Sequence, residues 1–410
     1  MNRFHKHLVL SLGRKGLGEA SLGIRLATDL QDAGDEVFFL AHDSNAKLFS
    51  SDVPHQLFPS HASPFFPLYL SDCLESFAAD SLILSDYFTT TLFFESFGLH
   101  PEVLVSRGRP LFAIDTWDYE KVSDKIDLFV SGCRTVSLWP DHVIPLRPVP
   151  FLQPEPGRGA YRTLPVRSVV SEQKRNGLRR TYGVPAGAKA VLFCTSEWQH
   201  AEYESEAGRR MAQSLPRLLA DFLAAAGDQV HLVHVGPQAY PLSERMAGRY
   251  HWLPALSPGD FDALLASMDL LLSANISATT ITKAMVLHVP VLVVENSVAA
   301  GSLEQAMAAL PHPPSALLES WLRQSLPLFP FSLWPLGYHR FLTPVLRNNP
   351  YVDALERVEM LDEATMRRTL ATLLFDSVAR EEHCHRQQIY LDKVRSLPSG
   401  AQCVRAGLAN

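Results

Sequence analysis

Cysteine is scarce in this chain and follows no pattern. Cys73, Cys133, Cys194, Cys384 and Cys403 are five scattered residues among 410. They outline neither a disulfide framework nor a CxxC metal site, and a reducing cytoplasm fits them. A basic excess is lacking as well: 37 Lys and Arg stand against 43 Asp and Glu, for a net charge of −6. No broad positive field is therefore available to hold nucleic acid. No apolar stretch approaches the ~20 residues of a membrane helix, so no integral membrane segment is expected. The opening MNRFHKHLVLSLGRKG has too short an apolar run for a signal peptide. The phosphate loop, the dinucleotide GxGxxG and the nucleophile elbow GxSxG are all missing. The 16 histidines form no metal set. His231 and His234 are at odd spacing on a strand and face opposite sides, while His383 and His385 lack i,i+4 spacing and a third ligand.

What remains is the composition of a globular protein, 47% hydrophobic and 20% charged, in a chain long enough for two domains. His7–Gly13 reads as a buried strand. Gly13, Gly16 and Gly18 follow it, then a helix from Glu19 to Ala33 and a strand Glu36–Ala41. Strand, glycine turn, helix, strand is a nucleotide-fold βαβ unit. Further strands are expected at Gln56–Pro59, Ser81–Asp86, Leu111–Thr116, Asp127–Ser131 and Val143–Leu146. Asp86, Asp115 and Trp117 stand at strand ends, where α/β sites assemble, although a loop anchored by a buried Trp has the same residues. Residues 151–187 are rich in Pro and Gly and then basic, and read as a linker with a helix ending near Tyr182. Arg175, Arg179 and Arg180 lie on that helix, on a solvated face or near a phosphate.

Strand–helix alternation resumes with Ala190–Cys194, Gln229–Val235 and Tyr250–Leu256. The stretch around which the second half is organised is Phe261–Ser297. It reads as helix, buried strand Asp269–Ser273, a loop with Ser277, Thr279 and Thr280, helix, and buried strand Val289–Glu295. Hydroxyls and free N–H groups at a helix start bind phosphate well, and they also make an ordinary helix cap. Residues 299–350 form an insertion in which Trp321, Phe329, Phe331, Trp334, Tyr338 and Phe341 alternate with prolines, as in a folded subdomain core.

The segment MDLLLSANISATTITKAMVLHVPVLVVENS resembles the donor-binding half of GT-B glycosyltransferases, and GRKGLGE with its helix and EVFFLA resembles their N-terminal unit. Lys283 stands where many members have a ribose-binding Glu, and His288 where Gly is usual. The resemblance implies two doubly wound Rossmann-like domains facing each other across a cleft. Residues 1–150 would hold the acceptor, 151–187 would link, 188–380 would hold the nucleotide donor, and 381–410 would cross back to the first domain as a helix and tail. It implies transfer of a sugar from a nucleotide-activated donor, in natural-product or cell-envelope biosynthesis, with no metal and no cofactor beyond the nucleotide-sugar co-substrate. Ser196, Gly236, Ser277, Thr279, Thr280 and Lys283 would meet the donor, with Trp252 and Leu253 near its base. Gly16, Gly18, Asp86, Asp115 and Trp117 would lie on the acceptor side. Glu19 matches the position of a catalytic base, and an acidic helix start explains it equally well. The acceptor is not identified, and the insertion is a candidate homo-oligomer contact. A nucleotide-sugar epimerase or hydrolase, or a GT-B-like binding protein without turnover, has the same sequence features.

Overall fold

The computed structural model describes residues 4–13, 17–49, 53–99, 102–105, 108–129, 132–135, 140–164, 170–200, 206–242 and 244–409. The chain divides into two compact units. Unit 1 is Met1–Asp124, Ser137–Leu164 and Asp392–Asn410; unit 2 is Lys125–Val136 and Pro165–Leu391. Among the described residues no helix is long and apolar enough to cross a membrane.

Strands β1 (Lys6–Ser11), β2 (Glu36–His42), β3 (His55–Phe58), β4 (Ser81–Leu84) and β5 (Leu111–Ile114) belong to unit 1. A hairpin of β6 (Lys125–Leu128) and β7 (Gly132–Thr135) follows, and then β8 (Val143–Val149) and β9 (Ala160–Arg162) complete the unit 1 sheet. That sheet has the order β3-β2-β1-β4-β5-β8-β9, with every pair parallel. Its central strands are near-continuous apolar runs because helices cover both faces. Phe39, Phe112, Leu26 and Val9 form the core, closed by Ala401 and Val404 of the helix Gly400–Ala409. Arg405 of that helix donates to both Asp35 carboxylate oxygens, at 3.1 and 2.9 Å.

Unit 2 holds β10 (Lys189–Cys194), β11 (Val230–Val235), β12 (Tyr250–Leu253), β13 (Leu270–Ser273), β14 (Val291–Glu295) and β15 (Glu356–Glu359). Their order is β12-β11-β10-β13-β14-β15, again all parallel. Both sheets therefore contain the 3-2-1-4-5 order of a doubly wound fold. The helix Glu206–Ala226 lays Leu215, Leu218, Leu219 and Phe222 on this sheet.

Three sequence expectations change here. Asp127–Ser131 was expected as a strand of the first sheet. Instead β6 pairs antiparallel with β7, and the hairpin is built into unit 2. Asp127 accepts the backbone N–H groups of Arg340 (3.1 Å) and Phe341 (2.8 Å), capping the helix His339–Leu346. Gly337 lies so close that a Cβ would be 2.6 Å from the Asp127 carbonyl, at a φ of +116°. The aromatic insertion is not a separate subdomain: Trp334 and Phe331 are part of the unit 2 core, and Trp334 Nε1 donates to the Met211 carbonyl at 3.2 Å. Finally, half-buried Arg175 and buried Arg179 of the helix Glu172–Thr181 turn to a carboxylate of their own unit instead of forming a solvated face.

Those two arginines converge on Asp269, just before β13. Arg179 Nη2 is 2.6 Å from Oδ2, Arg175 Nη2 is 2.9 Å from Oδ1 and Arg380 Nη1 is 3.4 Å from Oδ1. The Ala190 N–H also donates to Oδ2, at 2.8 Å. Burial pushes this carboxyl up, but Arg179, the Ala190 N–H and Arg175 outweigh it and hold it below the usual range. The stability it contributes is present above the ordinary carboxylate pKa and is lost as pH falls through the lowered one. Asp269→Asn leaves three guanidinium groups without their anion. It should lower unfolding free energy by about 3–5 kcal/mol in urea titrations near neutral pH, with the difference shrinking in acid. A loss below about 1 kcal/mol would show that the cluster is screened by water.

Candidate active site

In each sheet the strand order reverses beside the first strand of the unit, so loops leave neighbouring C-terminal ends in opposite directions and open a crevice. In unit 1 the reversal lies between β1 and β4. Asn45, buried on the adjoining 3-10 turn, fixes the β1 exit by donating to the carbonyls of Ser11 (3.3 Å) and Gly13 (2.9 Å). Glu19 follows in the first turn of the helix Leu17–Asp32. Past β4, Asp86 caps the helix Tyr87–Phe97. It accepts the Thr89 N–H at 2.6 Å and the Thr116 hydroxyl at 2.8 Å.

Glu19 Oε2 is buried and has no hydrogen-bond partner among the described residues. Loss of water, and then the nearby Asp86 charge, push the Glu19 carboxyl up to about 7. Burial likewise raises Asp86. The helix N-terminus alone predicts the opposite, an ionised form stabilised by the dipole. Here desolvation and like charge outweigh it.

The other acceptor-side candidates fall differently. Gly16 lies outside the described residues. Gly18 has open space where a Cβ would be, so nothing steric demands a glycine. Asp115 is buried beside Arg147 (Oδ2 to Nε 3.3 Å), which also holds Asp118 at 3.1 Å and Glu120 at 3.0 Å. Burial still raises Asp115 to about 7. Trp117 is buried edge-on against Phe151. Asp115 and Trp117 thus fix the loop after β5.

In unit 2 the reversal lies between β10 and β13. Past β10, Ser196 is exposed, and its N–H donates to Gln199 Oε1 at 2.8 Å. Past β13, Asn275 Oδ1 accepts the N–H (3.0 Å) and hydroxyl (2.9 Å) of Ser277, a tight polar turn that aims the next helix. That helix, Thr279–Val286, is capped by Ala278, which has no side-chain acceptor. Among the described residues no side chain caps its first turn; the Ile281 N–H bonds to the Ala278 carbonyl at 2.9 Å, and the Thr279 and Thr280 hydroxyls stand at this start.

Lys283 does not reach back to that helix start. Its Nζ is 2.7 Å from Asp262 Oδ1 and lies over the Phe261 ring, 5.5 Å from the centroid. This ion pair accounts for a lysine here without an anionic ligand. His288 sits at φ +57°, in the left-handed region that glycine adopts most readily. Trp252 leaves 40% of its surface exposed while its Nε1 donates to the Gly236 carbonyl at 3.0 Å. Leu253 is half-buried, and its carbonyl accepts the Gly236 N–H at 3.1 Å. Sequence reasoning did not bring together Thr195, His200, His234, Tyr240 and Tyr250, which hydrogen-bond to one another at the ends of β10 and β11. The run Cys194-Thr195-Ser196 was the available signal, but its partners are remote in sequence.

Solved structures of this architecture include HepE from Anabaena in complex with UDP and glucose, at TM-score 0.55 and 15% identity over 99% of each chain. The spinosyn rhamnosyltransferase SpnG complexed with thymidine diphosphate aligns at TM-score 0.52 and 13% identity, over 99% of this chain and 100% of that one. The glycotransferase of kitacinnamycin aligns at 0.52 and 14%, over 99% and 98%. The fold is thus that of GT-B glycosyltransferases. No curated protein matches by sequence. Residues 26–409 match the family of unknown function DUF6365, and the chain belongs to that family.

Proposed function

We propose that this protein transfers a sugar from a nucleotide-activated donor to an acceptor hydroxyl, with Glu19 as the general base. The observation that carries the reading is Glu19 itself, a carboxyl at the unit 1 strand reversal with a buried oxygen that has no partner among the described residues. A base works best when its proton affinity lies near the working pH, and burial together with Asp86 brings Glu19 there. Its ionised form would take the proton of the attacking hydroxyl as the new glycosidic bond forms. The bond from the anomeric carbon to the diphosphate oxygen then breaks, and the diphosphate carries away the electron pair.

The donor half is assigned to unit 2. The diphosphate would meet the N–H groups opening the helix Thr279–Val286, with Ser277, Thr279, Thr280 and Ser196 adding hydroxyls. Fixed N–H dipoles stabilise the departing charge without reorganising. The exposed Trp252 ring offers a surface for the base. UDP and thymidine diphosphate in the HepE and SpnG complexes agree with this class of donor. Lys283, held by Asp262, is given no part in anion binding. That pair, at the position where relatives hold ribose, favours one second reading, a nucleotide-binding protein without transfer. Nucleotide affinity with no turnover across acceptor panels would select it.

The tests separate base from scaffold. Glu19→Gln should leave nucleotide affinity unchanged and lower turnover by about 10²-fold or more. Wild-type turnover should rise with pH through about 7, as the base loses its proton. Stability should move the other way. A carboxyl raised in the folded state contributes stability below its unfolded pKa and loses it as pH rises through the folded one. Glu19→Gln, which imitates the protonated form, should therefore melt higher than wild type at about pH 8 and equally at about pH 4. A lower melting temperature at about pH 8 would reduce Glu19 to a helix-start charge.

For the donor half, Thr280→Val keeps the shape and deletes a hydroxyl. It should weaken nucleoside diphosphate binding roughly 5- to 10-fold by calorimetry. Unchanged affinity would remove Thr280 from the site.

A further inference from the structure

The pairing of β10 with β13 runs from Val191↔Leu270 to Phe193↔Leu272. The loops that follow the two strands leave in opposite directions, so the ladder does not fix the distance between them. A turn of the aromatic insertion meets both. The Gly337 N–H donates to the Leu333 carbonyl at 2.9 Å, and the N–H groups of Ser332 and Leu333 donate to the Gly337 carbonyl at 2.9 and 3.0 Å, which closes the turn.

On the β13 side the contacts are backbone bonds. The Trp334 N–H donates to the Ala274 carbonyl at 2.9 Å, and the Ile276 N–H donates to the Ser332 carbonyl at 3.0 Å. The Tyr351 hydroxyl donates to the Ile276 carbonyl at 2.7 Å. Asn275 lies between these anchors, and its side chain orders Ser277.

On the β10 side the connection is a buried amide. Gln199 Nε2 donates to the Trp334 carbonyl at 2.9 Å. Its Oε1 accepts the Ser196 N–H at 2.8 Å, and its own backbone N–H donates to the Ser196 carbonyl at 3.0 Å. These partners fix the direction of the amide, because a carbonyl only accepts and a backbone N–H only donates. A flipped Gln199 would satisfy neither.

Trp334 therefore uses its N–H on the loop that carries Ser277, Thr279 and Thr280, and its carbonyl, through Gln199, on the loop that carries Ser196. Its own place is fixed. The side chain is fully buried, and Nε1 donates to the Met211 carbonyl at 3.2 Å. The turn is also tied to the end of β14, where Asn296 and Phe331 exchange backbone bonds of 3.1 and 2.8 Å. Breaking either arm at Trp334 would leave a buried backbone group unpaired, so the two loops are held at one spacing.

We propose that Gln199 is a positioning residue of the donor site: through the Trp334 backbone it sets Ser196 and the Ser277–Thr280 turn at the spacing that receives the nucleotide's diphosphate. This rests on the glycosyl-transfer reading. It goes further in assigning the aromatic insertion a part in donor binding, as the spacer between the two loops. Groups ordered before binding need not be ordered by the ligand, and affinity gains accordingly.

Two measurements test it. Gln199→Met keeps the length of the side chain and deletes both amide bonds. In calorimetry with UDP and with thymidine diphosphate it should bind about 10-fold more weakly than wild type, the scale of one well-formed hydrogen bond. Affinity within about 2-fold of wild type, whatever the melting temperature, would show a tie that only stabilises the fold; it would overturn the proposal and leave the donor assignment standing. The second measurement uses wild type and does not depend on the variant folding. During a UDP titration, 15N–1H spectra should show the Gln199 side-chain amide and the Trp334 backbone amide shifting along the same binding curve as the Ser196 and Ser277 amides. Either one unmoved at saturation would overturn the proposal. Wild type binding neither nucleotide would overturn the donor assignment and this inference with it.

Discussion

The constraint on which the structure depends is the reversal of strand order in each parallel sheet. Parallel strands can be joined only by crossovers, and the order β3-β2-β1-β4-β5 and its counterpart β12-β11-β10-β13-β14 turn back at one place each. At that place no crossover covers the C-terminal ends of the strands. Backbone N–H groups and polar side chains can then stand at the end of an apolar sheet without being buried beneath a helix. Glu19 and Asp86 occupy that place in unit 1, and Thr195, Ser196, Ser277 and Thr280 occupy it in unit 2. The hydrophobic strands determine where the polar chemistry is allowed to be.

Two sets of buried acids show how surroundings separate structure from chemistry. Asp269 is met by three arginines and a backbone N–H, and its carboxyl is held below the usual range. It ties the helix Glu172–Thr181 to the opposite end of the sheet from the crevice. Among the described residues Glu19 Oε2 has no hydrogen-bond partner, and burial, then a second acid nearby, raises its proton affinity. Loss of water raises both groups; at Asp269 the arginines and a backbone N–H outweigh it, and at Glu19 the Asp86 charge adds to it. A structural acid is neutralised by its partners. One left short of partners has a perturbed proton affinity, the state in which functional carboxyls cluster.

Much of this was legible in the chain. The segment from Phe261 to Ser297 reads correctly as helix, strand, turn, helix and strand, because buried parallel strands are continuous apolar runs with sharp polar ends. What failed had physical reasons. The run around Asp127 looks like any short buried strand, and only the remote cap on the helix His339–Leu346 shows that it is a hairpin of unit 2. Strand β9 is three residues long, and β15 is an edge strand reading Glu-Arg-Val-Glu, with one buried position. Neither has an apolar pattern to detect. The arginines of the 172–181 helix read as a solvated face because their anion, Asp269, is about 90 residues away. Glu19 was visible as a candidate, but the direction of its proton affinity was not, since that depends on burial and then on Asp86 arriving from another strand.

The account turns on the state of one carboxyl, which infrared spectroscopy can observe without knowledge of the acceptor or the sugar. The protonated C=O band that disappears in Glu19→Gln should persist in wild type at mildly acidic pH and titrate away at about 7. Loss of that band near the ordinary glutamate value of ~4.3 would show a solvated side chain at a helix start and contradict the central claim.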